Sequence, residues 1–171
     1  TTFRDLTRLL LAEVKRLRPL RPVMERELLR RVVERALSND QLRYFADAAR
    51  RSAFITLLAD HIHELQRGDI SASAYARIRP PQANEDEHRE LAHLYSEYER
   101  LLAAHALTDE DGSHRAARDL LTTSDTSAFR ALNLVVVDGF TDFTPTQHDI
   151  LRLLATRANQ LLIALPTDSS E

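Results

Sequence analysis

The chain has 171 residues, 43% hydrophobic, 29% charged and 6% aromatic, with three glycines, six prolines, no cysteine and no tryptophan. That length suits one domain, or one domain and part of a second, and can bury a core without disulfide or metal staples; zero cysteine excludes disulfides, thiolate zinc sites and cysteine nucleophiles. A net charge of −3 singles out no polyanionic partner, whereas scarce glycine argues against glycine-rich phosphate loops and, with abundant Leu and Ala, predicts helices.

Residues 2–17 read as an amphipathic helix capped by Thr2, with Phe3, Leu6, Leu9, Leu10, Val14 and Leu17 at helical spacing. Pro19 and Pro22 break it, and Pro22 suits the first turn of a second helix that runs to about Ser38 with Leu28, Leu29, Val32, Val33, Ala36 and Leu37 on one side. A short helix is expected over residues 42–50. Ser52 then caps a segment carrying Phe54, Leu57, Leu58, Ile62 and Leu65 that ends at Gly68. One or two helical turns follow over residues 71–78. Asn84 caps the clearest helix, whose stripe is Leu91, Leu94, Tyr95, Tyr98, Leu101 and Leu102 and which stops near His105. Thr108 or Asp109 caps another, through Leu121.

The pattern then changes. Residues 132–137, Leu-Asn-Leu-Val-Val-Val, form a β-branched run ending in Asp138-Gly139 and read as a strand buried on both faces of a parallel sheet. A helix over 147–158 and a second buried strand over 161–165 complete one strand-helix-strand unit. Two such strands cannot make a stable sheet alone. Together with the missing initiator Met, this predicts an internal piece of a longer protein, completed by the remainder of its own chain.

No apolar run approaches the roughly 18 residues of a membrane span, and the first residues lack the pattern of a signal peptide, so a cytoplasmic protein without membrane contact is the expectation. Residues 1–51 hold 13 basic and 7 acidic side chains, a balance of +6. A basic end can meet phosphates, and Arg4, Arg8, Lys15, Arg16, Arg18 and Arg21 are its candidates, against the plainer reading of solvated helix faces. No histidines are spaced for a shared metal, and His61 and His63, two apart on a helix, point in different directions. Asp109-Glu110-Asp111-Gly112 lacks the later ligands of a calcium loop and reads better as a helix cap. Neither a G-x-S-x-G elbow nor a G-x-x-x-x-G-K-[ST] loop occurs.

An Asp at the carboxyl end of an apolar parallel strand is where nucleotide-hydrolysing α/β domains hold magnesium. The run from Asp138 through Gln147, Asp-Gly-Phe-Thr-Asp-Phe-Thr-Pro-Thr-Gln, resembles motif II and its downstream segment in UvrD-like superfamily 1 helicases. There Asp138 matches the magnesium Asp, Phe140 the aromatic, Asp142 the second Asp and Gln147 the Gln that opens the next helix. Gly139 stands where active members carry the catalytic Glu, so hydrolysis by the usual route is not expected. The form Val-Asp-Gly-Phe-x-x-Phe-Thr-Pro-x-Gln resembles the AddB/RexB branch of helicase–exonuclease subunits, whose helicase-like part is degenerate. Tyr95 and Tyr98, followed by Leu107 and Asp109, resemble a "Tyr-x-x-Tyr … Leu-x-Asp" stretch of these helicases; the two tyrosines read as core or groove-lining residues rather than stacking platforms. Residues 165–168, Leu-Pro-Thr-Asp, replace the Gly-Asp-x-x-Gln of active members.

The expected fold is mainly α with a small α/β part: a helical insertion subdomain over 1–127, then a strand-helix-strand piece of a RecA-like P-loop NTPase core over 128–171. The resemblance implies a non-catalytic helicase-like region in double-strand break repair and recombination, binding or scanning single- or double-stranded DNA and packing against an AddA-like motor helicase–nuclease subunit. ATP and magnesium are then expected only in the parent complex, with no metal and no catalytic residue in this piece. Two alternatives stand beside it: part of an active ATP-dependent UvrD-like helicase, and a helical protein-interaction module without a DNA role.

Overall fold

The computed structural model describes residues 2–12, 17–78, 84–123 and 132–164; Lys15, Arg16, Pro80, Pro81 and the segment around Asp168 lie outside them. Thr2 opens the first helix as its sequence suggests. Its Oγ1 accepts the Asp5 N–H and Asp5 Oδ2 accepts the Thr2 N–H, each at 3.2 Å, a reciprocal capping box. The described part of this helix, α1, is Phe3–Ala12. Beyond residues 13–16 the chain is extended at Leu17, and Arg18–Pro19 forms a two-residue strand, β1. Pro22 takes the first position of α2 (Pro22–Ser38), behind Arg21 in extended backbone.

The expected helix over 42–50 is reduced to a 3-10 turn at Ala48–Arg50. A carboxylate 45 or more residues away in sequence explains the difference. Glu90, itself buried, accepts the backbone N–H groups of Arg43, Tyr44 and Phe45 at 2.7, 2.9 and 3.0 Å. Three consecutive donors converging on one carboxylate make a tight nest that holds residues 43–45 in a bend, and the helical turn is left to start at Ala48.

Ser52 is not the cap of α3 (Ser52–Arg67); that place falls to Arg51, which makes no side-chain cap bond. Nor does Gly68 take the left-handed conformation at its end. Gly68 has φ −75°, and Asp69 turns the chain at φ 58°. Asp40 after α2 (φ 54°) and Ala106 (φ 50°) do likewise, so a chain poor in glycine closes three helices with aspartate and alanine. Ser71 caps α4 (Ala72–Tyr75), and Asn84 Oδ1 accepts from Asp86 and Glu87 at the start of α5 (Glu85–Ala104). After Ala106, β2 (Leu107–Thr108) pairs in parallel with β1, Arg18 opposite Leu107. Asp109 then caps α6 (Glu110–Thr123), its Oδ1 accepting the Gly112 N–H at 2.7 Å.

Two compact units result: a helical one over residues 17–112, and a second formed by residues 1–16 and 113–171. The sequence pattern divides the chain after residue 127; by packing, α1 and residues 113–123 of α6 group with the strand-helix-strand part. The helical unit is built around Leu29, Val33, Ile62, Leu94, Tyr95 and Tyr98, each 1% exposed or less.

In the second unit, β3 (Leu132–Val137) and β4 (Ala158–Ile163) pair in parallel, Val135 opposite Leu161 and Val137 opposite Ile163, joined by α7 (Pro145–Ala155). β3 begins and ends as its apolar run predicts, whereas α7 and β4 each start two or three residues early. Ile150, Leu151 and Leu154 of α7 pack with Leu10, Ala117, Leu121, Val135 and Leu161. The expectation of strands buried on both faces is not met. Leu134, Val136 and Leu162 are 49%, 61% and 55% exposed. Side chains alternate across a strand, so a single crossover helix covers one face and leaves the other open.

Candidate functional site

The motif resembling a nucleotide site lies at the carboxyl end of β3, where its strand places it. Asp138 is exposed, and so are Gly139 and Asp142. Gly139 has φ +80°, a conformation open to glycine and strained for other residues, although a Cβ there would meet no atom within 4 Å. The aromatics between and beside the two aspartates turn inward. Phe140 and Phe143 stack with centroids 5.4 Å apart, and Phe3 of α1 stands edge-on to both at 5.2 and 6.1 Å. Gln147 serves the helix: its Oε1 accepts the Thr144 N–H at 3.1 Å and its own N–H donates to Thr144 Oγ1 at 3.3 Å.

Beside β3 lies a cleft of about 400 Å3 whose lining includes Phe3, Leu6, Leu134, Val136, Asp138 and Phe140. Its walls are apolar, and among the described residues Asp138 is the sole charged group in its lining. A nucleoside triphosphate with magnesium needs cationic or backbone phosphate donors and more than one oxygen ligand for the metal. The described residues that line this cleft do not fit that group. Among the described residues no cluster of three His, Asp or Glu side chains could hold a metal ion.

The six basic candidates serve different ends. Arg4 and Arg8 lie four apart and exposed on α1, Arg8 pairing with Asp5 at 2.9 Å. Arg18 donates to the His105 carbonyl at 3.2 Å, closing the end of α5, and Arg21 stands exposed before α2. Lys15 and Arg16 fall outside the described residues.

The most developed polar cluster is one that sequence spacing does not reveal. In the helical unit the Tyr98 hydroxyl, fully buried, lies 3.0 Å from both Glu25 Oε1 and Asp109 Oδ2, its one proton shared between the two carboxylate acceptors. Gln66 Nε2 donates to the same Asp109 oxygen at 2.9 Å, and His63 Nε2 lies 2.7 Å from Glu25 Oε1. Burial pushes the Tyr98 phenol far above its usual range, and the two carboxylates add to that. Glu25's hydrogen bond raises the His63 pKa against the opposing effect of burial. Burial would raise Glu25, but His63 and the Tyr98 hydroxyl hold it below the usual carboxylate value. Tyr95 donates to the Ile70 carbonyl at 3.0 Å and is 1% exposed. The tyrosine pair is therefore core, and the Tyr-x-x-Tyr and Leu-x-Asp positions act as a fastening between helices. His61 faces Tyr75 at 3.3 Å, away from the partner of His63. Glu25, His63, Gln66 and Glu90 are groups that the sequence pattern does not single out; each acts on residues 38 or more positions away, and no local pattern marks them.

Comparison with known proteins supplies a family. The model described as "ADDB, N-terminal" matches residues 1–171. Curated relatives include an ATP-dependent helicase/deoxyribonuclease subunit of Clostridium novyi (strain NT), 28% identical over 132 residues, covering 75% of this chain and 11% of the relative. The protein of the same description in Anoxybacillus flavithermus (strain DSM 21510 / WK1) is 26% identical over 151 residues, 83% of this chain and 13% of the relative. That of Thermoanaerobacter sp. (strain X514) is 25% identical over 135 residues, 77% and 11%. The chain thus spans about a ninth of the length of these relatives.

Proposed function

The chain belongs to the AddB N-terminal family, and on that premise we propose that it is the helicase-like N-terminal region of a DNA helicase–deoxyribonuclease subunit, working in double-strand break repair by recombination. In this role it binds or scans DNA and packs against a motor subunit, and it does not hydrolyse ATP. ATP and magnesium are then bound elsewhere in the parent complex. The relatives' description as subunits of a helicase/deoxyribonuclease supports a partner of that kind.

One observation carries the non-catalytic part of the reading. The position after Asp138 is a glycine at φ +80°. It has no carboxylate to orient water, and its backbone would strain a glutamate by roughly 1–2 kcal/mol. Around it, the apolar cleft and the aromatic packing of Phe140 and Phe143 suit a packed structural element better than a phosphate site. The parallel β3–α7–β4 unit, with Asp138 at a strand's carboxyl end, supports a RecA-like origin. In that fold, further strands and helices would cover Leu134, Val136 and Leu162.

ATP turnover by the full-length subunit assembled with its partner is the test. Asp138→Asn is expected to leave turnover within twofold of the unmodified complex. A tenfold fall would show that this site takes part in hydrolysis and would sink the non-catalytic reading.

A further inference from the structure

Residues 43–51 of the helical unit read Arg-Tyr-Phe-Ala-Asp-Ala-Ala-Arg-Arg, three arginines against one aspartate. Arg8, Arg31, Arg89 and Arg100 all pair with carboxylates, those of Asp5, Glu27, Asp86 and Glu97. Arg43, Arg50 and Arg51 are exposed and have no such partner among the described residues. Arg50 and Arg51 stand immediately before α3, whose first turn holds no acidic residue. The positive end of the helix therefore adds to their charge and does not offset it.

Beside them an aromatic ring faces solvent. Tyr44 is 48% exposed and stands edge-on to Phe45, centroids 4.8 Å apart, while Phe45 leans on Phe54 at 5.2 Å. Glu87 lies near the Tyr44 hydroxyl and raises its pKa. The backbone beneath is fixed by the three N–H bonds to Glu90, and the Ala49 N–H donates to the Phe45 carbonyl at 2.8 Å, folding the 3-10 turn back beside Tyr44. Unpaired guanidinium groups next to a braced, open aromatic face match the two halves of a nucleic-acid strand, phosphate and base.

We propose that Arg43, Tyr44, Arg50 and Arg51 form a contact site for single-stranded DNA, the arginines meeting phosphates and the Tyr44 ring stacking on an unpaired base. A single strand is the occupant because a base within a duplex offers no free face to a ring. This site rests on the DNA-binding reading above and assigns that reading to a surface other than the basic candidates of residues 4–21.

Fluorescence anisotropy with a labelled 20-nucleotide oligothymidine, titrated with the full-length subunit in its natural complex across a salt series, tests it. Arg50→Ala combined with Arg51→Ala is expected to weaken binding about tenfold and to make the salt dependence shallower by roughly two counterions. Tyr44→Leu, which keeps the apolar cover over Phe45, is expected to weaken it about fivefold or more, with the salt slope unchanged. Arg4→Ala combined with Arg8→Ala is expected to stay within twofold. If the unmodified complex binds and both sets of loop variants bind within twofold of it, this surface is not the contact and the broader reading stands. No binding by the unmodified complex at low salt would overturn both.

Discussion

The two units treat polar chemistry in opposite ways. The helical unit buries two carboxylates and satisfies both: Glu90 holds three backbone N–H groups, and Asp109 holds Tyr98, Gln66 and Gly112. The strand-helix-strand unit leaves Asp138 and Asp142 exposed and turns an apolar sheet face outward. Letters that resemble one helicase pattern thus do two jobs. In the helical unit they fasten helices, and in the other they sit at the exposed end of a strand with an open apolar face.

Five substitutions, the last read through a pH titration, can break or sharpen that contrast. The largest effect is expected from Glu90→Ala, which takes the shared acceptor from three part-buried backbone donors; a loss of about 3 kcal/mol of unfolding free energy, with faster amide exchange at residues 43–45, is the expected outcome in denaturation and hydrogen-exchange measurements. A loss under about 1 kcal/mol would mean that water replaces the carboxylate and the unit is less closed than described. Next comes Val136→Asp on the open face. An exposed site tolerates it within about 0.5 kcal/mol, but a face covered by further strands loses about 2 kcal/mol or more, and the latter is expected of the full-length protein in urea unfolding. Gly112→Ala is expected to destabilise by about 1–2 kcal/mol, because a Cβ there would stand 2.6 Å from Asp109 Oδ1. That reverses the usual gain from alanine in a helix, about 1 kcal/mol, so the sign alone decides.

Ala106→Gly runs the other way. At φ 50° a glycine relieves left-handed strain, and the melting temperature is expected to rise by an amount equal to roughly 0.5–1 kcal/mol. The smallest effect is that of the His63–Glu25 pair. His63 is raised in the folded state, so its contribution is full below its unfolded value of 6.5 and fades as pH rises through the higher folded value. Glu25 is lowered, so its contribution holds above 4.5 and fades as pH falls through the lower folded value. The pair stabilises most between those limits, by less than about 1 kcal/mol because His63 is a third exposed. In His63→Gln the decline in stability above pH 6.5 should flatten; an unchanged profile would assign that decline to other groups.

What the sequence makes legible follows from distance along the chain. Thr2 with Asp5, Ser71 with Ala74 and Asn84 with Asp86 are contacts two or three residues apart, and each is readable from residue type and position. β3 is readable because Leu134 to Val137 is an unbroken apolar run, rich in valine, that ends in Asp-Gly. Glu90 on Arg43, Gln66 on Asp109 and Tyr98 on Glu25 span 47, 43 and 73 residues. Nothing local distinguishes these side chains from solvated ones, and the loop at 41–47 reads as helix for the same reason. The open sheet face departs from expectation differently. Continuous apolar character says that a strand is made to be covered, but not that the residues at hand suffice to cover it.

The conformation of Gly139 has a consequence for how such a site changes over generations. At φ +80° a glutamate placed after Asp138 would carry roughly 1–2 kcal/mol of backbone strain, a cost of the kind that Asp40, Asp69 and Ala106 already bear at positive φ. The turn after β3 therefore disfavours an acidic side chain at this position without barring it. Any carboxylate that arose there by mutation would have to bring the fold or its partner more than that strain to persist.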